Sequence, residues 1–480
     1  MKDLQRGPAV SGMIWKSLEQ YGVLFIQFVV QIVLARIIAP EAYGVIAIVS
    51  IFIGLANVFV QKGFSIALVQ KKEIDEKDLS TVFYFSLLIA AVIYAIIFFT
   101  APAIAIFFHS EQLVPLLRVI SITLFTGAFS SIQNAILQRN IHYKEVFIAS
   151  VVSIGVSGLF AIFFANKGYG VWALAIQQVL FSILNAITLF LYVRWKPLIV
   201  FSVNSLKSVY SFGWKVLAVG LLDEFFGQLR TLVIGRKYDS ASLSFYSRGR
   251  QLPNLLMQST NGALQSVLLP LMSSVQDSCQ QVGQLIKRSL TVSTFVLYPV
   301  LIWFAITAPS VVSLLLTDKW LPCVVFVQLH CLYYAAWPLA TPNQQALYSL
   351  GKSGAIVKIE MVRKPLDVIV LFLSASHGLV PIAIGAVAVE WISLPAYVYM
   401  SSKETKYGFF SQIKDVLPIV VASLLAGLGM YLIGKLSCAP LLKLSMQSVI
   451  GVLVYWALAR LFKIEALDYL KEKIRSILRF

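Results

Sequence analysis

Apolar residues follow this chain in long blocks that are separated by short polar connections. Each block holds roughly twenty residues, which is the length that an α-helix needs to cross the hydrocarbon core of a bilayer. On this basis we predict about fourteen spans. The first group lies between residues 13 and 193, the second between 210 and 400, and a final pair between 416 and 462. The pattern indicates an all-α polytopic membrane protein.

The block Ser244–Leu269 is long enough to span a bilayer but carries a stripe of polar side chains. They recur every three or four residues, which places them on one face of a helix. The stripe consists of Arg250, Asn254, Gln258, Asn261 and Gln265. Because such groups are costly in lipid, we expect this face to turn towards protein or a water-filled cavity.

Three other predicted helices carry polar stripes of the same kind. They are Lys16, Glu19, Gln20, Gln27 and Gln31 in the first helix, Ser50, Gly54, Asn57 and Gln61 in the second, and Asp223, Glu224 and Arg230 in the seventh. A cavity that faces all four helices would hide the largest number of polar groups from lipid. The alternative is that Lys16 and Glu19, or Asp223 and Arg230, only neutralise one another between packed helices.

Short matches at an offset of about two hundred residues indicate an internal repeat. The pairs are Trp15-Lys16 with Trp214-Lys215, and Leu34-Ala35-Arg36 with Ile234-Gly235-Arg236. An even number of spans separates equivalent positions, so both halves have the same orientation in the membrane. We divide the chain into an N-terminal lobe at 1–200, a C-terminal lobe at 201–405, two additional helices at 406–463 and an amphipathic cytoplasmic tail at 464–480.

Composition excludes a soluble globular protein, because 59% of the residues are hydrophobic, only 13% are charged and the mean hydropathy is +0.82. The formal charge of +17 arises from Lys and Arg concentrated in alternate connections. We assign Lys358, Arg363 and Lys364 to one of these inward loops. Cytoplasmic loops are enriched in such residues, so we predict that both termini are cytoplasmic and expect no nucleic-acid partner.

One basic cluster breaks this rule, since it falls on the predicted outer side of the membrane. It consists of Arg236, Lys237, Arg248 and Arg250. Guanidinium groups bind phosphate through two parallel hydrogen bonds, which makes the cluster a candidate anion site. Binding of phospholipid headgroups at the outer surface is the alternative.

We find no arrangement of residues that is typical of catalysis or metal binding. The cysteines and histidines are scattered without ligand spacing, and no Ser/His/Asp constellation is recognisable. We therefore expect neither an enzyme nor a protein with a cofactor or metal.

The stretch from Gln61 to Lys72, followed by Asp78-Leu79-Ser80-Thr81-Val82-Phe83, resembles the connection between the second and third helices of polysaccharide flippases. Pro40-Glu41-Ala42-Tyr43-Gly44 and the residues from Lys167 to Leu174 are similar to further signatures of that family. The nearest subgroup comprises the Wzx-type exporters of lipopolysaccharide, colanic acid and teichuronic acid. It belongs to the multidrug/oligosaccharidyl-lipid/polysaccharide superfamily, which also contains multidrug exporters and peptidoglycan-precursor flippases.

The resemblance implies two six-helix lobes in a V, followed by two additional helices, with a central cavity lined by the first, second, seventh and eighth helices. It also implies a cargo, an undecaprenyl-pyrophosphate-linked oligosaccharide that moves from the cytoplasmic to the periplasmic leaflet of the bacterial inner membrane by alternating access. Membrane lipids are expected partners, and the polysaccharide polymerase machinery is a further candidate.

Within this scheme we assign three roles to the polar residues. Arg230, Arg248 and Arg250, with Lys16, are candidates to neutralise the diphosphate. The candidates to line the cavity and hydrogen-bond sugar hydroxyls are Gln20, Gln27, Gln31, Asn57, Gln61, Asn254, Gln258 and Asn261. Glu19, Asp223 and Glu224 are candidates to bind a coupling proton or sodium ion.

Three alternatives remain at this point. A cation-coupled multidrug exporter of the same fold would favour an acidic, aromatic cavity, whereas these stripes are basic and rich in amides. A membrane-embedded glycan polymerase would need a large external loop with catalytic groups, and the connections here are short. A membrane scaffold without transport activity would leave the polar stripes unexplained.

Overall fold

The structure is a computed structural model that describes residues 6–62, 68, 71, 74–436 and 438–478. Every regular element in these ranges is helical, which confirms the predicted all-α class. Much of the family-like stretch after Gln61, at 63–67, 69–70 and 72–73, lies outside the described residues, as do the last two residues of the predicted tail.

Contacts group the chain into two units, Met1–Ser244 (unit 1) and Phe245–Phe480 (unit 2). The helices of unit 1 are α1 (Arg6–Ile37), α2 (Pro40–Asn57), α3 (Glu76–Phe107), α4 (Leu113–Ile120), α5 (Thr123–Arg139), α6 (Tyr143–Asn166), α7 (Val171–Val193) and α8 (Val203–Lys237). A π-helical turn, Val58–Lys62, continues α2. Helix α9 (Ser240–Ser273) crosses from unit 1 into unit 2.

Unit 2 continues with a further set of helices. They are α10 (Cys279–Leu316), α11 (Val324–Tyr334), α12 (Trp337–Ser349), α13 (Ser353–Ser374), α14 (Leu379–Thr405), α15 (Phe409–Gly434), α16 (Pro440–Leu461) and α17 (Glu465–Leu478). A 3-10 turn, Asp318–Cys323, joins α10 to α11.

Among the described residues, 11 helical segments are long and apolar enough to cross a membrane. The three further spans that the sequence predicted coincide with α8, α9 and α13, which are long helices but carry more charged and polar residues. These three helices contain Asp223 and Arg230, Arg248 and Arg250, and Arg363. The most polar helices of membrane length are therefore where functional chemistry is expected.

The fourth and tenth predicted spans are each interrupted by a turn. The first interruption separates α4 from α5 at residues 121–122, and the second separates α11 from α12 at residues 335–336. The breaks lie at equivalent places in the two halves of the sequence, which agrees with the proposed repeat. Proline does not interrupt α10 in the same way, because the helix continues through both Pro299 and Pro309.

The boundary between the contact units differs from the one that we drew at residue 200. Helix α8 packs on α2 and α3, so the contacts group this seventh span with unit 1. Our division followed the sequence repeat, which describes chain similarity and not packing, and it stays a prediction.

Glycines allow close approach between neighbouring helices inside each unit, as is usual for helix contacts in membranes. A Cβ atom at Gly158 of α6 would lie 2.8 Å from the Val30 side chain of α1. In unit 2 a Cβ atom at Gly249 of α9 would lie 2.3 Å from Cβ of Phe326 and 2.9 Å from the carbonyl oxygen of Cys323. Such contacts fix the spacing of these helices.

The tail begins by packing against protein. Ile464 and Ala466 are buried in a cluster with Ile419 and Ala459, and the Arg288 guanidinium lies 3.8 Å from the ring centroid of Tyr469. The first turns of α17 are therefore docked on unit 2. The cytoplasmic location of the tail stays a prediction.

Candidate functional site

Unit 1 contains a cavity of about 410 Å³ lined by α1, α2, α6 and α7. The polar lining residues are Gln27, Gln31, Tyr43, Ser50, Ser157, Gln177 and Gln178. Gln27 and Gln31 were predicted from the stripe on the first helix, and the structure places both of them here. In the lining, which consists of described residues, no side chain carries a formal charge. The site is polar but neutral.

Sequence reasoning missed the adjacent glutamines of α7. The Gln31 Nε2 atom donates to the Gln177 Oε1 atom at 3.4 Å, so α7 supplies the partner of the predicted stripe. A pair of neighbouring amides inside the apolar block Val171–Val193 was a usable signal. We did not use it because Gln177 and Gln178 do not form a stripe along the helix.

The polar residues at the end of α2 form a separate pair. The Gln61 Nε2 atom donates to the Asn57 Oδ1 atom at 2.8 Å across the π-helical turn. Gln61 also lies against α5, since a Cβ atom at Gly127 would be 2.4 Å from its Nε2 atom. Asn57 and Gln61 do not line the cavity that contains Gln27 and Gln31.

Lys16 and Glu19 form an ion pair in α1, with 2.5 Å between Nζ and Oε2. The Lys16 Nζ atom also lies 5.3 Å from the ring centroid of Tyr143. These contacts correspond to the alternative in which the two charges neutralise one another. Gln20, one residue further along, is exposed and is not part of the cavity lining.

The carboxylate of Glu224 in α8 lies over the backbone of α2. Its Oε1 atom accepts a hydrogen bond from Gln228 at 3.1 Å, and a Cβ atom at Gly54 would be 2.6 Å away from it. Asp223 is exposed and Arg230 is half-buried, and both make interactions within the described part of the chain. Glu224 is thus the carboxylate of this group that packs most closely on a neighbouring helix.

The two arginines of α9 occupy different environments. Arg248 is 7% exposed, donates from Nη1 to Gln251 at 2.8 Å and lies 5.6 Å from the ring centroid of Trp320. Arg250 is half-buried and hydrogen-bonds the hydroxyl of Tyr334. Residues two apart point about 200° apart around a helix, so the pair does not share a face.

The amide stripe that follows on α9 is only partly engaged. The Asn261 Oδ1 atom accepts a hydrogen bond from Thr341 of α12 at 2.6 Å. Asn254 is half-buried and Gln258 is exposed. The basic cluster that was predicted on the outer side is likewise divided, since Arg236 lies in unit 1. There it hydrogen-bonds His109 and lies 4.9 Å from the ring centroid of Phe107.

Unit 2 contains an ionic network that the sequence analysis did not predict. Arg363 donates from Nε to Glu360 at 3.1 Å and from Nη1 to Glu390 at 3.0 Å, while Tyr397 donates to Glu360 and Tyr333 hydrogen-bonds Glu390. We counted Arg363 with the charges of an inward loop, although it falls in the eleventh predicted span, and the structure places it within α13. The spacing of Glu360 and Arg363 favoured an intrahelical pair, but the third member belongs to a different helix.

These features define a multi-pass membrane protein whose polar chemistry lies on helices of membrane length, as in transporters. The chain belongs to the polysaccharide biosynthesis protein family, whose sequence model matches residues 33–325, more than half of the chain. The resemblance noted in the sequence is thereby confirmed.

Named relatives agree with this assignment. The chain is 22% identical over 351 residues to the teichuronic acid biosynthesis protein TuaB of Bacillus subtilis, covering 72% of each chain. It is 21% identical over 419 residues to the lipopolysaccharide biosynthesis protein WzxC of Escherichia coli, covering 86% of this chain and 82% of the relative.

The fold is that of a solved flippase. The lipid II flippase MurJ in its inward closed conformation superposes with a TM-score of 0.75 at 15% identity, covering 95% of this chain and all of MurJ. At this identity the likeness shows the fold alone, and it agrees with the predicted all-α polytopic class.

Proposed function

We propose that this protein flips a lipid-linked oligosaccharide across the bacterial cytoplasmic membrane during surface polysaccharide synthesis. The proposed cargo is undecaprenyl pyrophosphate with an oligosaccharide repeat unit, moved towards the periplasmic leaflet by alternating access, with both termini of the chain in the cytoplasm. Family membership and the names of TuaB, WzxC and MurJ support this cargo class. Membrane lipids and the polysaccharide polymerase machinery are proposed partners.

The observation that carries the proposal is a cation on a helix of membrane length. Arg250 lies on α9 and keeps an always-charged guanidinium beside the Tyr334 hydroxyl. A charged group on such a helix is costly in lipid, so its presence there indicates a function. A guanidinium also matches the geometry of a phosphate. Arg248 is only 7% exposed, whereas Arg250 is half-buried and more accessible to a ligand, so Arg250 is the stronger candidate for the diphosphate.

The other assigned residues take secondary roles in this proposal. The amides of α9, above all the exposed Gln258, are candidates for sugar contacts, and so are Gln27 and Gln31 in unit 1. Glu224 and Asp223 stay candidates for a coupling ion, and so does Glu19, which forms an ion pair with Lys16. Arg230 stays a candidate for the cargo anion.

The multidrug alternative predicts a site that attracts organic cations. Among the described residues, the unit 1 cavity has amide and hydroxyl groups but no carboxylate in its lining. An organic cation would there lose its hydration without gaining a negative partner, which is unfavourable. This cavity therefore favours a polyhydroxyl cargo over a cationic drug.

The proposal is tested with the purified chain in proteoliposomes. Transbilayer movement of fluorescent undecaprenyl-pyrophosphate-linked oligosaccharide is measured beside uptake of an organic cation dye. We expect movement of the lipid only, and a rate about tenfold lower for Arg250→Ala, since a charge-assisted hydrogen bond contributes about 1.5 kcal/mol or more.

Arg236→Ala is the matched control, because Arg236 belongs to the same sequence cluster but lies in unit 1 against Phe107. Its rate should stay close to that of the unaltered chain. If the dye is transported and the lipid is not, the proposed function is wrong. If both variants slow transport equally, the cluster acts through phospholipid headgroups and Arg250 has no special role.

A further inference from the structure

The cavity of unit 1 has the hydrogen-bonding character of a sugar site. Gln27, Gln31, Gln177 and Gln178 present amides, each of which offers two donors and an acceptor. A sugar hydroxyl is itself a donor and an acceptor, so amides can satisfy it in either role. The four amides come from two neighbouring helices, α1 and α7.

The hydrogen bonds already present in the cavity leave room for a ligand. The Gln31–Gln177 bond is 3.4 Å long, well above the usual 2.9–3.0 Å, and is therefore weak. The hydroxyls of Ser50 and Ser157 donate back to their own helices, to the carbonyls of Ile46 and Ile154, which leaves their oxygen lone pairs as acceptors. A polyhydroxyl ligand can therefore replace the Gln31–Gln177 bond and donate to the two serine oxygens.

The volume and the apolar part of the lining agree with a sugar of limited size. The volume of about 410 Å³ lies within the range of roughly 300–1,000 Å³ that small-molecule sites occupy. Phe181 and Ile154 provide apolar surface beside the amides. The C–H face of a sugar ring packs on such surface while its hydroxyls reach the glutamines.

The described lining carries no formal charge, and this favours uncharged sugars over acidic ones. A hexuronic acid would carry its carboxylate into a site that offers it amides and hydroxyls but no cation. Burying an unpaired charge is much more costly than burying a hydroxyl that finds a hydrogen bond. Uncharged sugars are favoured for this physical reason.

We propose that the cavity lined by Gln27, Gln31, Gln177 and Gln178 is a subsite for an uncharged mono- or disaccharide unit of the cargo. It rests on the proposed function, because the sugar arrives as part of a lipid-linked oligosaccharide. It assigns neutral sugar recognition to unit 1, separately from the anion recognition assigned to Arg250 in unit 2.

The test is equilibrium binding to the purified full chain in lipid nanodiscs. Three probes are compared: undecaprenyl pyrophosphate alone, the same lipid carrying an uncharged hexose disaccharide, and the same lipid carrying a disaccharide of one hexose and one hexuronic acid. The uncharged disaccharide should tighten binding about tenfold over the bare lipid, and the acidic one should add less.

Gln31→Ala with Gln177→Ala should remove this gain and leave binding of the bare lipid within about twofold. Gln138→Ala is the control, because Gln138 is an exposed amide of α5 outside the cavity. Gln177→Glu keeps the size of the side chain and adds a negative charge, so it should weaken binding of the acidic probe more than binding of the neutral one. Thermal unfolding midpoints establish that each variant is folded.

The outcomes separate the two proposals. If the unaltered chain binds none of the probes, the proposed function fails and the subsite fails with it. If the bare lipid binds but the neutral disaccharide adds nothing, or if the gain persists in the double variant, only the subsite is overturned. Equal gains from the neutral and acidic disaccharides also overturn it.

Discussion

Two polar regions on helices of membrane length differ in how they satisfy their side chains. In unit 1, Gln31 and Gln177 share a weak bond in a cavity whose described lining is neutral. In unit 2, Arg363 binds the carboxylates of Glu360 and Glu390 at 3.0–3.2 Å. The first arrangement is open and uncharged, whereas the second is ionic and closed on itself.

The difference between the two regions lies in what it costs a side chain to exchange its hydrogen-bond partner. An amide that leaves its partner loses one neutral hydrogen bond, and a ligand or water can replace it. A partly buried ion that loses its partner leaves an uncompensated charge, which is far more costly. We therefore interpret the glutamines of unit 1 as recognition groups and the Arg363 network as a fixed structural element.

The largest expected effect comes from breaking the ionic network. Arg363→Ala leaves both carboxylates without the cation that they share, so the free energy of unfolding should fall on the order of 3 kcal/mol. Thermal unfolding in detergent measures the loss. Arg288→Ala, which removes an exposed arginine stacked on Tyr469, is the control. Adding Glu390→Gln to Arg363→Ala should restore part of the stability, and equal midpoints for Arg363→Ala and Arg288→Ala would contradict the structural role.

Packing beside Arg248 provides the next comparison. Gly249→Ala introduces a Cβ atom 2.3 Å from Cβ of Phe326 and should reduce the free energy of unfolding by about 2 kcal/mol through overpacking. Gly262→Ala is matched to it on the same helix, since a Cβ atom there meets nothing within 4 Å. Unfolding in denaturant compares the two. Similar losses for both variants would show that α9 is not held against Phe326.

A variant of Glu224 tests whether a carboxylate of unit 1 takes part in ion-coupled transport. Glu224→Gln keeps the size of the side chain and its place beside Gln228 but removes the charge, so it should slow transport about tenfold if the carboxylate binds a coupling ion. Transport rates under an imposed proton or sodium gradient provide the measurement. Glu145→Gln, near the start of α6 and 3.6 Å from His142, is the control. Full gradient-driven transport by Glu224→Gln would remove this residue from the mechanism.

The smallest effect is expected at Tyr407, between α14 and α15. Its hydroxyl donates to Asp415 at 2.6 Å, and burial together with this carboxylate raises the pKa of Tyr407. A raised pKa contributes stability that is fully present below the unfolded value of about 10 and is lost only as pH rises through the higher folded value. Tyr407→Phe should therefore cost about 1 kcal/mol, equally at about pH 6 and about pH 9. A cost that changes over this interval would show that the hydroxyl titrates.

Helical periodicity selected two residues that line the unit 1 cavity. Gln27 and Gln31 were selected as one face of the first helix, and the structure places both in the unit 1 cavity. Gln177 was overlooked because its partner is 146 positions earlier in the chain. Glu390 was overlooked for a similar reason, since a lone carboxylate in an apolar block shows no pattern until Arg363 of another helix is placed beside it.

The sequence alone determined the membrane class, most of the helices and the family, because apolar block length and local periodicity are properties of neighbouring residues. Only the tertiary structure decided which polar side chains meet. Lys16 and Glu19 pair within one helix, whereas Arg250 meets Tyr334 and Gln31 meets Gln177 across helices. Contacts between helices depend on helix rotation and crossing, which are set by packing over the whole unit and are not encoded in any single segment.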